Sequence, residues 1–152
     1  MIRVAVALGS NLGDRDTHLH AALQRIGAFI HSLQVSSFID TDPVGAGSQP
    51  RFLNGAAVGE TDLSARELLD ALLEAEAELG RTRPFPGAPR TVDLDLILYG
   101  DAVIDEPGLL VPHPRFRTRS FVLAPLAEVA PEWVDPVTGL TVAQLLSCVS
   151  PS

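Results

Sequence analysis

One segment constrains the architecture of this chain, and it reads Thr91-Val92-Asp93-Leu94-Asp95-Leu96-Ile97-Leu98-Tyr99. Its aliphatic composition and the Gly100-Asp101 pair that follows predict a buried strand ending at a turn. Because side chains alternate along a strand, Asp93 and Asp95 point to one face, about 7 Å apart. The opposite face carries the apolar side chains that attach the strand to the core, namely Val92, Leu94, Leu96 and Leu98. The segment therefore predicts a strand buried on one side and presenting two carboxylates on the other.

The segments around this strand predict the order β-α-β-β-α-β. Residues 2 to 8 are apolar except for Arg3 and end at Gly9, which predicts a strand, and apolar residues recur at helical spacing from about residue 16. Ser64-Ala65-Arg66-Glu67 has the form of a capping box and predicts a second helix, which ends at Gly80. The remaining predicted elements are strands at 35–39 and 52–58, a short hairpin within 102–111, and short helices at 120–129 and 141–148.

This order is typical of an α+β fold, a ferredoxin-like βαββαβ sandwich with extra short helices at the C-terminus. It predicts a largely antiparallel sheet with two helices on one face and the other face free for a site. The chain has 152 residues, 46% of them hydrophobic, which is enough for one well-filled core and too few to favour two. We therefore expect a single domain over residues 1–152.

Composition excludes several classes of protein. The formal charge of −8 argues against bulk binding of nucleic acid, which depends on basic side chains that neutralise phosphates. All eleven basic residues are arginine, so neither a lysine Schiff base nor a lysine-dependent phosphate loop is available. The apolar N-terminal stretch is too short to span a membrane and lacks the features of a signal peptide. We therefore expect a cytoplasmic protein with neither nucleic acid nor membrane as a partner.

Opposite charges nevertheless converge around the predicted strand. Six of the eleven arginines fall between residues 81 and 119: Arg81, Arg83, Arg90, Arg115, Arg117 and Arg119. Carboxylates at 93 and 95 oppose folding unless a cation lies between them, and magnesium takes oxygen ligands together with nucleotide phosphates. Arginine suits bidentate contact with phosphate, so the pattern favours a nucleotide triphosphate site. On these residues alone, two plainer interpretations stay open. The aspartates could be exposed on an ordinary amphipathic strand, and the arginines could form a solvated surface.

Four segments become specific when their order and spacing are taken together. They are Gly9-Ser10-Asn11-Leu12-Gly13, Phe52-Leu53-Asn54, Gly80-Arg81 with Pro89-Arg90-Thr91-Val92-Asp93-Leu94-Asp95, and Val111-Pro112-His113 leading to Arg119. From residue 2 to about residue 147 the chain resembles the 6-hydroxymethyl-7,8-dihydropterin pyrophosphokinases of folate biosynthesis. The resemblance implies a ferredoxin-like fold and transfer of the β,γ-diphosphate of ATP to the hydroxymethyl group of the pterin. It also implies release of AMP and two Mg²⁺ ions as cofactors.

The same resemblance implies roles for individual residues. Asp93 and Asp95 match the ligands of both metal ions and, with Arg81 and Arg90, form the expected catalytic set. The residues expected to bind ATP are Glu76, Arg81, Arg83, Arg90, His113 and Arg119. The residues expected to bind the pterin are Thr41, Val44, Phe52, Asn54 and Phe121. In that role Asn54 pairs its amide with the polar edge of the ring, and Phe52 and Phe121 sandwich the ring.

The chain departs from the family pattern in two regions. In the loop 81–90, Phe85-Pro86-Gly87-Ala88-Pro89 replaces a segment that carries tryptophan in many members, and it stays open whether Phe85 substitutes for the indole. Pro114 replaces an aromatic residue, and Gly108 and Leu110 stand where some members have an arginine and a threonine. The resemblance therefore implies fewer ATP contacts from residues 108–114.

The residues also disfavour two other classes of function, a binding module and a structural subunit. A ferredoxin-like nucleotide-sensing or RNA-binding module needs aromatic residues on its sheet, but only 5% of the residues are aromatic and the sheet carries Asp93 and Asp95. A structural subunit explains none of the charged residues. We therefore expect a monomeric enzyme that acts on ATP and the pterin, with the general base open between Asp95 and proton loss to water.

Overall fold

The structure is a computed structural model of the chain, and it describes residues 1–11, 13–41, 51–80 and 92–149. In those ranges the strands are β1 (Ile2–Ser10), β2 (His31–Val35), β3 (Ile39–Thr41), β4 (Phe52–Thr61), β5 (Asp93–Tyr99), β6 (Ile104–Glu106) and β7 (Leu109–Val111). The helices are α1 (Arg15–Ile26), α2 (Ala65–Leu79), α3 (Ser120–Val129) and α4 (Val142–Cys148), with a 3-10 turn at Phe116–Thr118. The predicted order of elements is confirmed, except that two strands, β2 and β3, stand where one strand was predicted over residues 35–39.

The main sheet is antiparallel, with the strand order β2-β4-β1-β5 and with β3 paired to β4 beyond the end of β2. The capping box that starts α2 is present, because Ser64 Oγ accepts from Glu67 N–H at 3.1 Å and Glu67 accepts from Ser64 N–H at 2.9 Å. The hairpin predicted within residues 102–111 forms as β6 and β7. Local sequence signals thus place the main elements correctly.

The predicted strand over residues 35–39 is interrupted. β2 ends at Val35 and β3 begins at Ile39, while Ser36 keeps contact with β4 by donating from its N–H to Ala56 O and accepting at Oγ from Ala56 N–H, both at 2.9 Å. Phe38 lies over Gly55, where a Cβ would come within 2.6 Å of its ring. The Phe38 ring occupies the space that a side chain at position 55 would need, and the chain leaves the sheet at this point.

A β-bulge in β5 corrects the predicted faces of that strand. Val6 pairs with Leu96 and Ala5 with Leu98, so Ile97 is an extra residue with no partner in β1. The bulge turns Leu98 to the face it shares with Ala5, and the prediction that Leu98 lies with Leu94 and Leu96 was wrong. Asp93 and Asp95 precede the bulge and keep the predicted common face.

Each face of the sheet carries a hydrophobic cluster. One cluster joins β1, β4 and β5 to α1 and α2, as predicted. The other joins the opposite face to Phe116, α3 and α4, which cover Ala5, Val58 and Leu98. The expectation that this second face is free was therefore wrong for most of its length. Within the described ranges, the opening on this face lies toward Gly9 and Asp93. Among the described helices, none is both long enough and apolar enough to cross a membrane.

A buried ion pair fixes the 3-10 turn that precedes α3. Asp135 is fully buried and accepts from Arg117 Nη2 at 3.0 Å and Nε at 2.5 Å, from Thr138 Oγ1 at 2.7 Å, and from Val137 N–H at 3.0 Å. Burial acts to raise the pKa of Asp135, but these four hydrogen bonds outweigh it and hold the pKa below its ordinary 3.8. The carboxylate therefore anchors residues 116–118 to the turn before α4.

We expect Asp135→Asn to lower the free energy of unfolding by about 3 kcal/mol or more, because it leaves Arg117 without its buried partner. The depressed pKa means that this contribution is fully present above pH 3.8 and is lost as the pH falls through the folded-state pKa. Urea titrations across pH should show the difference between wild type and variant shrinking only under strongly acid conditions. Asp70→Asn, on an exposed position of α2, is the matched control. An equally small effect of both variants would contradict the assignment.

Candidate functional site

The floor of the open region is set by the register of three strands. Gly9 of β1 lies opposite Asn54 of β4 on one side and Asp93 of β5 on the other. One row further along, Ala7 lies between Ala56 and Asp95. Because the central strand contributes only glycine and alanine, space remains above it between Asn54 and the two carboxylates.

That space is a cavity of about 280 Å³. Phe52 forms part of its wall from β4 and Phe121 from the start of α3, and the guanidinium of Arg119 lies 5.5 Å from the centre of the Phe121 ring. Among the carboxylates of the described residues, only Asp93 and Asp95 line it. The full lining consists of Ala7, Leu8, Gly9, Thr41, Phe52, Asn54, Gly55, Asp93, Asp95, Arg119, Phe121 and Val122.

The amide of Asn54 is fixed from two sides. Its side chain is buried, and Nδ2 donates to Thr41 Oγ1 at 2.6 Å. On the other side a Cβ at position 9 would lie 2.9 Å from Asn54 Oδ1, so Gly9 is the residue that leaves room for the amide. The polar edge of the cavity is therefore held in place by backbone geometry and by a single hydroxyl group.

A second depression, of about 890 Å³, adjoins the cavity. Its apolar lining includes Leu69 and Leu73 of α2 and Leu110 of β7. Its acidic, basic and imidazole lining consists of Glu76, Asp95, Asp105, Glu106, His113, Arg115 and Arg119. Asp95 and Arg119 line both spaces, so the cavity and this groove meet at these two side chains.

Two residues of the groove are hydrogen-bonded to the backbone of β5, Glu76 through its side chain and His113 through its backbone N–H. β5 is an edge strand, so the Leu94 N–H points away from β1, and Glu76 Oε2 accepts from it at 2.6 Å. At the bulge, the carbonyl of Ile97 accepts from the His113 N–H at 2.9 Å. The strand that carries the carboxylates therefore also positions Glu76 and His113.

The pKa of His113 depends on burial and on the charged side chains where the cavity and the groove meet. Burial lowers the pKa of the imidazole below 6.5, Arg119 and Arg115 lower it further, and Asp95 acts in the opposite direction. His113 Nδ1 accepts from the Arg115 N–H at 3.2 Å, which leaves the imidazole in its neutral acceptor form. Two cations and one carboxylate therefore act on the same imidazole ring.

The structure brings together most of the residues chosen from the sequence. Thr41, Phe52, Asn54 and Phe121 line the cavity, Glu76, His113 and Arg119 line the groove, and Asp93 and Asp95 lie at the cavity floor. Val44, Arg81, Arg83 and Arg90 lie outside the described residues, as does the loop with Phe85. Sequence reasoning counted Arg115 among the six clustered arginines but not among the residues expected to bind ATP, and it took Gly9 as the end of the first strand and as part of one of the four segments, with no role in the site. The signal available for Arg115 was its spacing from His113 and Arg119. For Gly9 no local signal was available, because its pairing opposite Asn54 and Asp93 depends on strand register.

Comparison with known proteins identifies similar sequences. The family model for 7,8-dihydro-6-hydroxymethylpterin-pyrophosphokinase matches residues 5–131. A 2-amino-4-hydroxy-6-hydroxymethyldihydropteridine pyrophosphokinase from Pseudomonas aeruginosa is 45% identical over 132 residues, which are 86% of this chain and 82% of that protein. The enzyme of the same name from Bacillus subtilis is 48% identical over 126 residues, which are 82% of this chain and 75% of that protein.

Solved structures support the fold. A Plasmodium falciparum HPPK-DHPS triple mutant superposes with a TM-score of 0.78 at 14% identity and covers 96% of this chain. The wild-type Plasmodium falciparum HPPK-DHPS superposes with the same TM-score at 13% identity. This chain spans only 43% and 44% of the length of those two chains. The likeness shows that the ferredoxin-like fold is shared.

The charge arrangement predicts how the pKa of His113 responds to substitution. Asp95→Asn should lower it further, because a stabilising negative charge is removed, and Arg115→Ala should raise it, because a repelling cation is removed. NMR titration of the imidazole Cε1–H signal measures both shifts. Arg25→Ala, which breaks a surface pair with Glu78, is the control and should leave the pKa of His113 unchanged. Shifts of the opposite sign would contradict the positions of Asp95 and Arg115 near the His113 imidazole.

Proposed function

The chain belongs to the 7,8-dihydro-6-hydroxymethylpterin-pyrophosphokinase family, and from this premise we propose that it is the pyrophosphokinase of folate biosynthesis. It transfers the β,γ-diphosphate of ATP to the hydroxymethyl group of 6-hydroxymethyl-7,8-dihydropterin and releases AMP. The observation that carries the proposal is the meeting of two spaces at Asp95 and Arg119. A transfer between two substrates requires this arrangement, because the reacting atoms must come within bonding reach.

The cavity suits a flat polar bicycle. Phe52 and Phe121 offer aromatic surface on its walls, and Asn54 offers an amide that matches a donor and acceptor edge. The amide is held by Thr41 and Gly9 before any ligand arrives, so its orientation costs little on binding. These features support the assignment of the cavity to the pterin.

The groove suits a nucleoside triphosphate. Leu69, Leu73 and Leu110 offer apolar surface to a base, and Arg115, His113 and Arg119 offer contacts to phosphates. Asp105 and Glu106 add negative charge to the same lining. The proposed nucleotide set in the described residues is therefore Glu76, His113 and Arg119, together with Arg115, which belongs to the arginine cluster of the sequence and lines the groove. Arg81, Arg83 and Arg90 remain proposed phosphate ligands on the resemblance alone.

The two carboxylates suit Mg²⁺. Asp93 and Asp95 share a face and are partly buried, and oxygen is the donor that Mg²⁺ prefers. Among the described residues no cluster of three or more acidic, histidine or cysteine side chains forms. Mg²⁺ commonly completes its ligands with water and nucleotide phosphates, and we propose the same for an ion held here. When bound, Mg²⁺ neutralises phosphate charge, and we propose two ions held by this pair.

The proposed reaction is a displacement at phosphorus. The hydroxymethyl oxygen of the pterin forms a bond to the β-phosphorus, and the bond from that phosphorus to the α,β-bridging oxygen breaks, so AMP leaves. Asn54 orients the ring, and Arg119 and His113 hold phosphate beside Asp95. The hydroxyl proton passes to Asp95 or directly to water. The catalytic set remains Arg81, Arg90, Asp93 and Asp95, in a monomer that acts in the cytoplasm.

Product analysis tests the function directly. The protein, ATP, Mg²⁺ and the pterin alcohol should yield AMP and a pterin diphosphate, both resolved by ³¹P NMR. Formation of ADP would indicate transfer of one phosphoryl group and contradict the proposal. Absence of any new phosphorus signal with folded protein would contradict it as well.

We expect Asp93→Asn and Asp95→Asn each to lower kcat/KM by about 10³ or more, because each removes a proposed metal ligand. Without metal, the melting temperature should stay unchanged or rise, since repulsion between the carboxylates is relieved. Added Mg²⁺ and ATP should stabilise wild type but neither variant, as measured by thermal denaturation. Asp101→Asn, at the turn after the same strand, is the control. Near-normal turnover in either variant at millimolar Mg²⁺ would contradict the proposal that Asp93 and Asp95 are metal ligands.

Asn54→Ala should weaken pterin binding about tenfold or more and change ATP binding little, because the polar edge of the ring loses its partner. Gly9→Ala should have the same selectivity, since the new methyl group displaces the Asn54 amide. Calorimetry with each ligand measures the two affinities. Gly27→Ala, at the end of α1 where a Cβ meets nothing closer than 3.4 Å, is the control. Equal losses for ATP and pterin would place Asn54 outside the pterin pocket.

A further inference from the structure

Arg15 occupies the first position of α1, where a positive charge opposes the helix dipole. Its neighbours follow the usual preference: Asp14 caps the helix by accepting from Thr17 N–H at 3.2 Å, and Asp16 adds a favourable negative charge in the first turn. Stability of α1 therefore does not account for an arginine at this position. A residue that breaks a local rule in this way has its role in contacts outside the helix.

The contacts of Arg15 reach both strands that carry the pterin pocket. Its Nη1 and Nη2 donate to the two carboxylate oxygens of Asp40 at 2.8 and 3.1 Å, and Nη1 also donates to the carbonyl of Arg51 at 2.9 Å. Arg51 Nη2 donates to the carbonyl of Asp40 at 3.1 Å. These three residues, which we call the Arg15 network, join α1 to the middle of β3 and to Arg51, which precedes β4.

The Arg15 network adjoins the residues that hold the Asn54 amide. Asp40 pairs with Leu53, and the next residue, Thr41, pairs with Phe52 at the end of the ladder between β3 and β4. Thr41 is also the hydrogen-bond acceptor of Asn54. β3 has only three residues, so its backbone pairing alone fixes the position of Thr41 weakly.

We infer that Arg15 is a positioning residue for pterin binding, because it holds Asp40 and Arg51 and thereby fixes Thr41 and Phe52 against Asn54. The inference rests on the proposed function for the identity of the ligand. The side chains of Arg15 and Asp40 are 29% and 48% exposed, so a simple surface pair there would contribute little to stability. The planar guanidinium of Arg15 instead fixes the position of Asp40 relative to Arg51, because it donates to the Asp40 carboxylate and to the Arg51 carbonyl together.

Arg15→Ala in the full chain tests the inference, with Arg25→Ala as the matched control on the same helix. Arg15→Ala should raise the KM for the pterin alcohol about fivefold or more. The KM for ATP and kcat should stay unchanged, and the melting temperature of the free protein should be unchanged or higher. Arg15→Lys should recover only part of the pterin affinity, since an ammonium group lacks the planar fork. Adding Asp40→Asn to Arg15→Ala should cause a further loss smaller than that of Asp40→Asn alone, because only the 3.6 Å pair of Asp40 with Arg51 is left to remove.

Hydrogen exchange of the β3 amides gives a readout that does not require turnover. Exchange in Ile39–Thr41 should accelerate in Arg15→Ala and stay at the wild-type rate in Arg25→Ala. Equal increases in both KM values, complete recovery by lysine, or unchanged exchange in β3 would each overturn the inference. If wild type forms no AMP, the proposed function fails, whereas the exchange data still decide whether Arg15 fixes β3.

Discussion

The register of β1 with its two neighbours is the constraint on which the rest of the molecule depends. It sets Gly9 between Asn54 and Asp93, and Ala7 between Ala56 and Asp95. Small side chains on the central strand thus leave an opening between an amide and two carboxylates. Further along the same face of the sheet, larger side chains of β4 and β5, such as Val58 and Leu98, pack under α3 and α4. A shift of β1 by one residue would turn its side chains to the other face of the sheet. The position of the site and the packing of the second hydrophobic cluster therefore have the same cause.

Irregularities of β5 complete the site. As an edge strand it has backbone groups without a strand partner, and Glu76 accepts from one of them, the Leu94 N–H. Its bulge exposes the Ile97 carbonyl, which accepts from the His113 N–H. One short strand, β5, therefore carries the two carboxylates and also positions Glu76 and His113 of the groove. This arrangement limits relative movement between the proposed metal ligands and the proposed phosphate ligands.

Sequence reasoning predicted what depends on local pattern. Alternation placed Asp93 and Asp95 on one face, and the capping box placed the start of α2 at Ser64. It was wrong where tertiary packing decides. The bulge at Ile97 reverses the face of Leu98, the ring of Phe38 interrupts the strand predicted over 35–39, and α3 and α4 cover a face expected to be open. Contacts between distant segments, such as Arg15 with Asp40 and Arg51, leave no periodic signal in the sequence.

The central claim is that two substrates meet at Asp95 and Arg119, one in the cavity and one in the groove. A crystal structure with Mn²⁺, a non-hydrolysable ATP analogue and the pterin alcohol tests it most directly, because anomalous scattering locates the metal independently of any fit to density. We expect manganese peaks at the carboxylates of Asp93 and Asp95, the pterin between Phe52 and Phe121, and phosphates beside His113 and Arg119. Metal peaks away from both aspartates, or the pterin in the groove, would contradict the account.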